Sequence, residues 1–482
     1  MRNFERKARI GMLFFGADRF RPIGTGTPNG CYEERQEKVA KKLLERFGEL
    51  GDLIFTGIVY DNAGVKAAMD AFYMNKVDCV FAAHLSWAED YAWIRFLRDM
   101  PEVPMLFISL TREKIDFETT YDDDDFCQLL VSNGLVGSLE TSGSIKRFDR
   151  KMVDTVSGTL DTVIEKAKVF SSAARVRGIL KESVIGLLGP FNEVMWSTYV
   201  DPYSIFAKAG PEIHFYGVKE LESEIAAVSD EDAAAEMARL SKTYEKSGDI
   251  DEKKFLESVR ASIGFGRLCD KAGVDLMVLN DIDGVLLRTL GLRPGFIPCT
   301  PDPAVVVPEG DIGSGLAVYI LKILSGKQVN YIEPFYVEHD KQRIAVAHGG
   351  PNDYRDHAGK CLIGNDVRYA KDKTMKYAGA PIAWYTFPPG KKTMLHMSQN
   401  IAHNDGRFKM VTAQIESLET EHFMTSYSHG HIRPVNGSCE EFIGKLIAEG
   451  VTQHYGVTEG DYSAELECLS RLMQYDFNDL DK

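Results

Sequence analysis

Hydrophobic residues in the first third of the chain alternate between short unbroken runs and helical spacings. Ile10–Phe15, Val77–Ala83 and Met105–Leu110 are compact apolar runs, and Leu53–Tyr60 is apolar and partly β-branched, so all four read as strands. Between them, Glu34–Leu50 sets Val39, Leu43, Phe47 and Leu50 at helical spacing, and Val65–Met74 and Tyr91–Arg98 read as further helices. Strand–helix–strand repeats with short connections predict a parallel sheet covered on both faces, a doubly wound α/β domain. The four aspartates Asp122–Asp125 read as a solvated loop rather than a metal site, because adjacent residues cannot all converge on one ion. Lys151–Ala174 reads as a long helix leading out of this domain.

A second α/β unit begins at the apolar run Ser183–Leu188, with Ile213–Val218 as its next strand. Ser229 is the expected N-cap of a helix that carries Glu231 and Asp232 in its first turn, and Gly248 is expected to break it. Phe255, Val259, Ile263 and Leu268 mark another helix, and Val274–Leu279 a strand ending in Asn280-Asp281. Ligands of open α/β sheets gather beyond the carboxyl ends of strands, which makes that end a cleft wall. Beyond residue 325 strands dominate: Val329–Glu338, Arg343–His348, Ile382–Phe387, Thr393–Ser398 and Lys409–Ser417. Turns such as Pro388-Pro389-Gly390 and Asn404-Asp405-Gly406 separate them and predict an antiparallel sheet or barrel. The fold class is α/β: two doubly wound α/β domains followed by a mainly antiparallel, barrel-like C-terminal domain.

Composition narrows the function classes. The 482 residues suggest about three domains. A 44% hydrophobic and 26% charged content excludes disorder as the main state. The formal charge of -15 and pI near 5.3 argue against a nucleic-acid binder and against adhesion to an anionic membrane. They suit a protein that acts on a neutral small molecule. Eight cysteines (Cys31, Cys79, Cys127, Cys269, Cys299, Cys361, Cys439 and Cys468) are scattered with no C-x-x-C pair, which fits a reducing compartment. The amino terminus MRNFERKARI lacks an apolar signal core, and no run of 18 apolar residues occurs, so a cytoplasmic protein is expected.

Candidate chemistry is sparse before residue 300. Gly24-Thr25-Gly26-Thr27-Pro28-Asn29-Gly30 misses the dinucleotide spacing and reads as a flexible loop. Neither a P-loop nor G-x-S-x-G nor H-E-x-x-H is present. Arg19 reads as a surface arginine. The strongest constellation is Val307-Pro308-Glu309-Gly310-Asp311 ahead of a helix that stops at Gly326. Glu309 there is either a charge match to the helix N-terminus or a ligand. Gly313 and Gly315 inside that helix suggest that something approaches its backbone closely. Downstream, a turn centred on Asp340-Lys341 sets Glu333 directly opposite His348, with Cβ atoms about 5 Å apart. A carboxylate and an imidazole so placed are either metal ligands or a surface ion pair, and Pro334 favours an irregular ladder. His429 and His431 read as a hydrogen-bonding loop pair, and His454 lies just before the helical stretch Ser463–Met473.

These motifs together resemble the L-fucose isomerase and L-arabinose isomerase superfamily. E-G-D at Glu309–Asp311 precedes a helix, Glu333 sits in a following strand, and His348-Gly349-Gly350 is similar to the family's His-x-Gly. FPPGKKTMLHMS (Phe387–Ser398) and GVTQHYGVTEGDYSAELECLSRLM (Gly450–Met473) follow in the family's order. One departure is Gln453-His454, where the family has two histidines. The resemblance implies an N-terminal α/β domain (1–172), a central α/β domain carrying the first metal carboxylate (173–327) and a C-terminal barrel-like domain (328–482). It implies that Glu309, Glu333, His348 and His454 are ligands of Mn²⁺, with Mg²⁺ or Co²⁺ as alternatives. It further implies that Glu309 and Glu333 are acid and base in the isomerisation of a small sugar, within a homotrimer or homohexamer. Epimerisation or retro-aldol chemistry at the same metal site, non-catalytic sugar binding and hydride transfer are the rival expectations.

Overall fold

The computed structural model describes residues 3–115, 117–282, 295–296, 303–350, 352–368, 370–372, 374, 379–400 and 405–482. Cys299 and Asn404 lie outside the described residues. The chain divides into two compact units, residues 6–178 with 465–472, and residues 1–5, 179–464 and 473–482.

The first unit is built on five strands: β1 (Ala8–Phe15), β2 (Gly51–Ile54), β3 (Cys79–His84), β4 (Met105–Leu110) and β5 (Val153–Gly158). They pair in parallel in the order β2-β1-β3-β4-β5. Alternate residues of β3 bury into opposite layers. Val80 and Ala82 pack with Phe72, Trp93 and Phe96, from helices Asn62–Met74 and Asp90–Asp99. Phe81 meets Phe47 and Phe170, from helices Tyr32–Phe47 and Leu160–Leu180. This two-sided cover is why β1, β3 and β4 are apolar along most of their length instead of alternating.

Four local expectations are corrected in this unit. Extended pairing stops at Ile54, and Val59 returns only as an isolated bridge to Phe15. The aspartate run is not a loop but a helix start: Asp122 accepts from the Asp125 amide at 2.8 Å, and Asp123, Asp124 and Asp125 fill the first turn of Asp123–Val131. Carboxylates there are stabilised by the orphan amides and the helix dipole. The segment read as a helix from Lys151 begins instead with β5, where the β-branched Val153, Thr155 and Val156 pair with β4 before Leu160 opens the helix. Gly24–Gly30 is a chain of tight turns, with Gly24, Gly26 and Gly30 at positive φ. Thr27 and the buried Arg35 hold its carbonyls.

In the second unit, β6 (Val184–Leu188) and β7 (Glu212–Tyr216) are followed by a short strand β8 (Glu245–Ser247), then β9 (Leu276–Leu279) and β10 (Val305–Val307). The order β10-β9-β6-β7 makes a second parallel sheet. Ser229 caps its helix, accepting from the Asp232 amide at 3.0 Å. That helix ends at Thr243, not Gly248, because β8 leaves to pair with a later strand. The remaining strands are β11 (Asn330–Glu338), β12 (Arg343–His348), β13 (Ala358–Asn365), β14 (Pro381–Thr386), β15 (Gly390–Gln399), β16 (Phe408–Leu418), β17 (Ser428–Pro434), β18 (Tyr455–Glu459) and β19 (Asp476–Asp479). Six of them close into an antiparallel ring in the order β16-β15-β18-β11-β12-β17, since β17 pairs back onto β16. Ile332, Ile344, Val346, Met394, Ile415 and Val457 fill its interior cluster. The chain is thus mixed α/β, with parallel-sheet units and a closed antiparallel C-terminal barrel. Among the described residues no helix is long and apolar enough to cross a membrane.

Helix Ile312–Ser325 joins the second sheet to this barrel and is apolar on nearly every side because both flanks are covered. A Cβ on Gly313 would come within 2.5 Å of the Met397 carbonyl on β15, and one on Gly315 within 3.3 Å of Leu276 and Val278 of the sheet. The two glycines therefore permit the close approach that their presence suggested.

Candidate metal centre

The site forms where the carboxyl ends of β9 and β10 meet the barrel. After β9 the chain turns at Asn280-Asp281, and after β10 at Pro308-Glu309-Gly310. The Glu309 amide donates to Asp281 Oδ1 at 2.9 Å, Asn192 Nδ2 donates to the Glu309 carbonyl at 2.8 Å, and the Gly310 amide donates to the Leu279 carbonyl at 3.1 Å. These three bonds hold Glu309 at φ 65°, a left-handed conformation that non-glycine residues avoid. Such strain costs about 1–3 kcal/mol and gathers at functional sites. Its effect here is to turn the Glu309 carboxylate toward two imidazoles.

Glu309 is not the helix cap. Asp311 has that place, accepting from the Ser314 amide at 2.9 Å through Oδ1. Its other oxygen, Oδ2, accepts from His454 Nδ1 at 2.9 Å. That bond fixes the tautomer of His454 and aims Nε2 at Glu309 Oε2, 3.2 Å away. The His454 carbonyl is held in turn by His396 Nδ1 at 2.8 Å and Ser314 Oγ at 3.3 Å. His348, at the end of β12, places Nε2 3.7 Å from Glu309 Oε1. Ser428 Oγ donates to the His348 carbonyl at 3.2 Å. Glu309, His348 and His454 each offer a ligand atom, and these atoms lie within 4.8 Å of one another. Glu333 reaches the group from β11, its Oε2 3.9 Å from His454 Nε2 and its side chain 26% exposed where the others are buried.

The hairpin geometry differs from the expected one. Glu338, Val337 and Tyr336 face Arg343, Ile344 and Ala345 as the turn requires, but a bulge at Phe335 shifts Pro334 onto Val346 and Glu333 onto Ala347. Proline has no amide to donate, so the ladder breaks there and the bulge absorbs one residue. His429 and His431 lie in β17 instead of a loop, buried and hydrogen-bonded through Nδ1 to the Tyr427 carbonyl at 2.9 Å and to Thr420 Oγ1 at 3.3 Å. Gln453 turns from the cluster to Met195, with Nε2 3.4 Å from Sδ. Arg19 lies at the surface of the first unit, paired with Glu89 and stacked 4.4 Å over Trp87.

Charge shows what the cluster lacks. Burial opposes a proton on His454, but the hydrogen bonds it donates to Asp311 and Glu309 and the nearness of their charges outweigh it and lift the imidazole to about 10. Tyr331 packs against both rings, 4.6 Å from His348 and 4.9 Å from His454. Its hydroxyl is held well above the ordinary tyrosine range by burial and then by Asp311, Glu309, Glu333 and Asp281. Four carboxylates around two buried imidazoles leave a surplus of negative charge that a divalent cation would neutralise. Donor atoms 3–5 Å apart are close to what a shared ion about 2.0–2.2 Å from each requires. The residues present therefore fit a metal ion. Asp311, Tyr331 and His396 went unassigned in the sequence. Asp311 was legible as an N-cap residue and Tyr331 by its place two residues before Glu333 on one strand, while nothing signalled His396. Comparison with protein-family models and with curated proteins finds no match for this chain.

Proposed function

We propose that this protein is a divalent-metal-dependent aldose–ketose isomerase of a small sugar, of pentose or 6-deoxyhexose type. The observation that carries this reading is that Glu309, His348 and His454 offer ligand atoms within 4.8 Å of one another, with Glu333 Oε2 3.9 Å from His454 Nε2. The ordered motifs that resemble the L-fucose and L-arabinose isomerases support it. So does the position of Glu309 just beyond the carboxyl end of β10, where α/β sheets bind ligands.

Aldose–ketose exchange moves one proton between C1 and C2 and another between the two oxygens. Glu309, buried, and Glu333, partly exposed, serve as the acid–base pair for these transfers. His348 and His454, with the two glutamates, would hold the ion, and Asp311 orients His454 through its Nδ1. A divalent ion bound there would supply Lewis acidity to the carbonyl and hydroxyl oxygens of the sugar. Carboxylates mixed with imidazoles suit Mn²⁺, with Mg²⁺ or Co²⁺ as alternatives. The same reading carries a cytoplasmic homotrimer or homohexamer.

Glu309→Gln should lower Mn²⁺-dependent ketose formation by at least about 100-fold, in line with the loss of a general acid or base. A panel of pentoses and 6-deoxyhexoses assayed in D₂O would identify the sugar and show deuterium at the proton-transfer carbon. Undiminished turnover in the variant would rule the assignment out.

A further inference from the structure

Tyr331 occupies a position that packing alone does not explain. It is the second residue of β11, two before Glu333, is 2% exposed, and its ring contacts both imidazoles of the cluster. Its main chain is clamped on both sides by Asn352, which donates to the Tyr331 carbonyl at 2.9 Å and accepts from the Tyr331 amide at 2.6 Å. Asn352 also donates to Ser428 Oγ at 2.8 Å, the hydroxyl that holds the His348 carbonyl. Yet the Tyr331 hydroxyl is buried with no hydrogen-bond partner among the described residues. A phenol so rigidly held has been placed for something other than the protein itself, because folding gains from pairing every buried donor. Phenylalanine would fill the same ring position without an orphan hydroxyl.

We propose that the Tyr331 hydroxyl is a hydrogen-bond donor to an oxygen of a sugar held at the Glu309–His348–His454 cluster. This rests on the isomerase reading. A phenol is protonated at neutral pH, so it donates and does not abstract a proton. Its neighbours Glu309, Asp311 and Glu333 accept and carry negative charge, so Tyr331 supplies a neutral donor among acceptors. That is the complement an open-chain sugar needs, since its carbonyl oxygen can only accept.

The test compares the full chain loaded with Mn²⁺ with its Tyr331→Phe variant, using L-arabinitol and L-fucitol as ligands in calorimetric titrations. Y331F should bind the polyol about tenfold more weakly and lose about tenfold in kcat/KM. Its Mn²⁺ affinity should stay within about threefold, and its Tm should not fall. Unchanged polyol affinity and turnover would overturn the inference while leaving the isomerase reading intact. A lower Tm, or loss of the fold, would also overturn it, by showing that the hydroxyl has a structural partner. If the unaltered protein with Mn²⁺ binds neither polyol and converts no sugar, the isomerase reading fails and the role of Tyr331 fails with it.

Discussion

His84 and His454 are equally buried, at 1% and 0% exposure, and the protein drives them in opposite directions. His84 closes β3 of the first unit among aromatic rings, stacked on Phe15 at 4.9 Å and edge-on to Trp93 at 5.7 Å. Burial pushes its imidazole down to about 3. His454 precedes β18 of the second unit and is lifted to about 10 because Asp311 and Glu309 overcome the same penalty. Burial fixes only the size of the electrostatic stakes; the neighbouring carboxylates fix the sign. An imidazole among rings is a packing element, whereas one between carboxylates is a cation holder.

The largest effect that would sharpen this contrast is the pH dependence of metal binding. In the folded, metal-free protein His454 keeps its proton up to about 10, so a cation must displace that proton. Mn²⁺ affinity should therefore rise about tenfold per pH unit from pH 6 to pH 8.5, measured by titration calorimetry in several buffers, with about one proton released per ion. The metal-free fold should show the reverse trend. A raised imidazole contributes stability that is fully present below its ordinary value near 6.5 and is lost as pH rises toward 10. A binding curve that levels off above pH 6.5 would show that the carboxylates do not hold this proton.

Removing the carboxylate that distinguishes His454 from His84 should come next in size. Asp311→Asn keeps the shape of the side chain and an oxygen for the Ser314 amide but loses the charge. Partners that orient a metal ligand are typically worth 10–100-fold in affinity, so Mn²⁺ should bind about 10- to 100-fold more weakly. Its pH slope should flatten as well. Affinity within about twofold of the unaltered protein would mean that Asp311 only caps the helix.

Much of this was legible in the residues. Apolar runs and helical spacings were enough for the buried strands β1, β3, β4, β6 and β9, because strands covered on both faces are apolar along most of their length. The E-G-D ahead of an apolar helix marked the mouth of the second sheet. The aspartate run and β5 were misread because single segments do not show what they pack against. Asp122 becomes a cap only when a helix follows it, and Val153–Gly158 becomes a strand only beside β4. The Glu333 register needed one further fact, that the ladder slips at Pro334. His396, and the contacts of Asp311 and Tyr331 with His454, join segments far apart in the chain, which no local pattern records.

The smallest expected effect tests the other side of the comparison. His84→Phe places a ring of similar size in a cage of Phe15, Trp93 and Phe107, and removes two ring nitrogens that have no hydrogen-bond partner among the described residues. No bond is broken, so stability at pH 7 should change by less than about 1.5 kcal/mol, as for a volume-conserving swap. Mn²⁺ affinity should not move. The acid limb should move, however. A lowered imidazole binds its proton in the unfolded chain first, so His84 draws down stability as pH falls from 6.5 toward 3. H84F lacks that term and should unfold at lower pH than the unaltered protein, by circular dichroism. If its acid midpoint is unchanged, His84 is not the neutral packing residue that its aromatic surroundings make it, and the contrast with His454 loses one of its two ends.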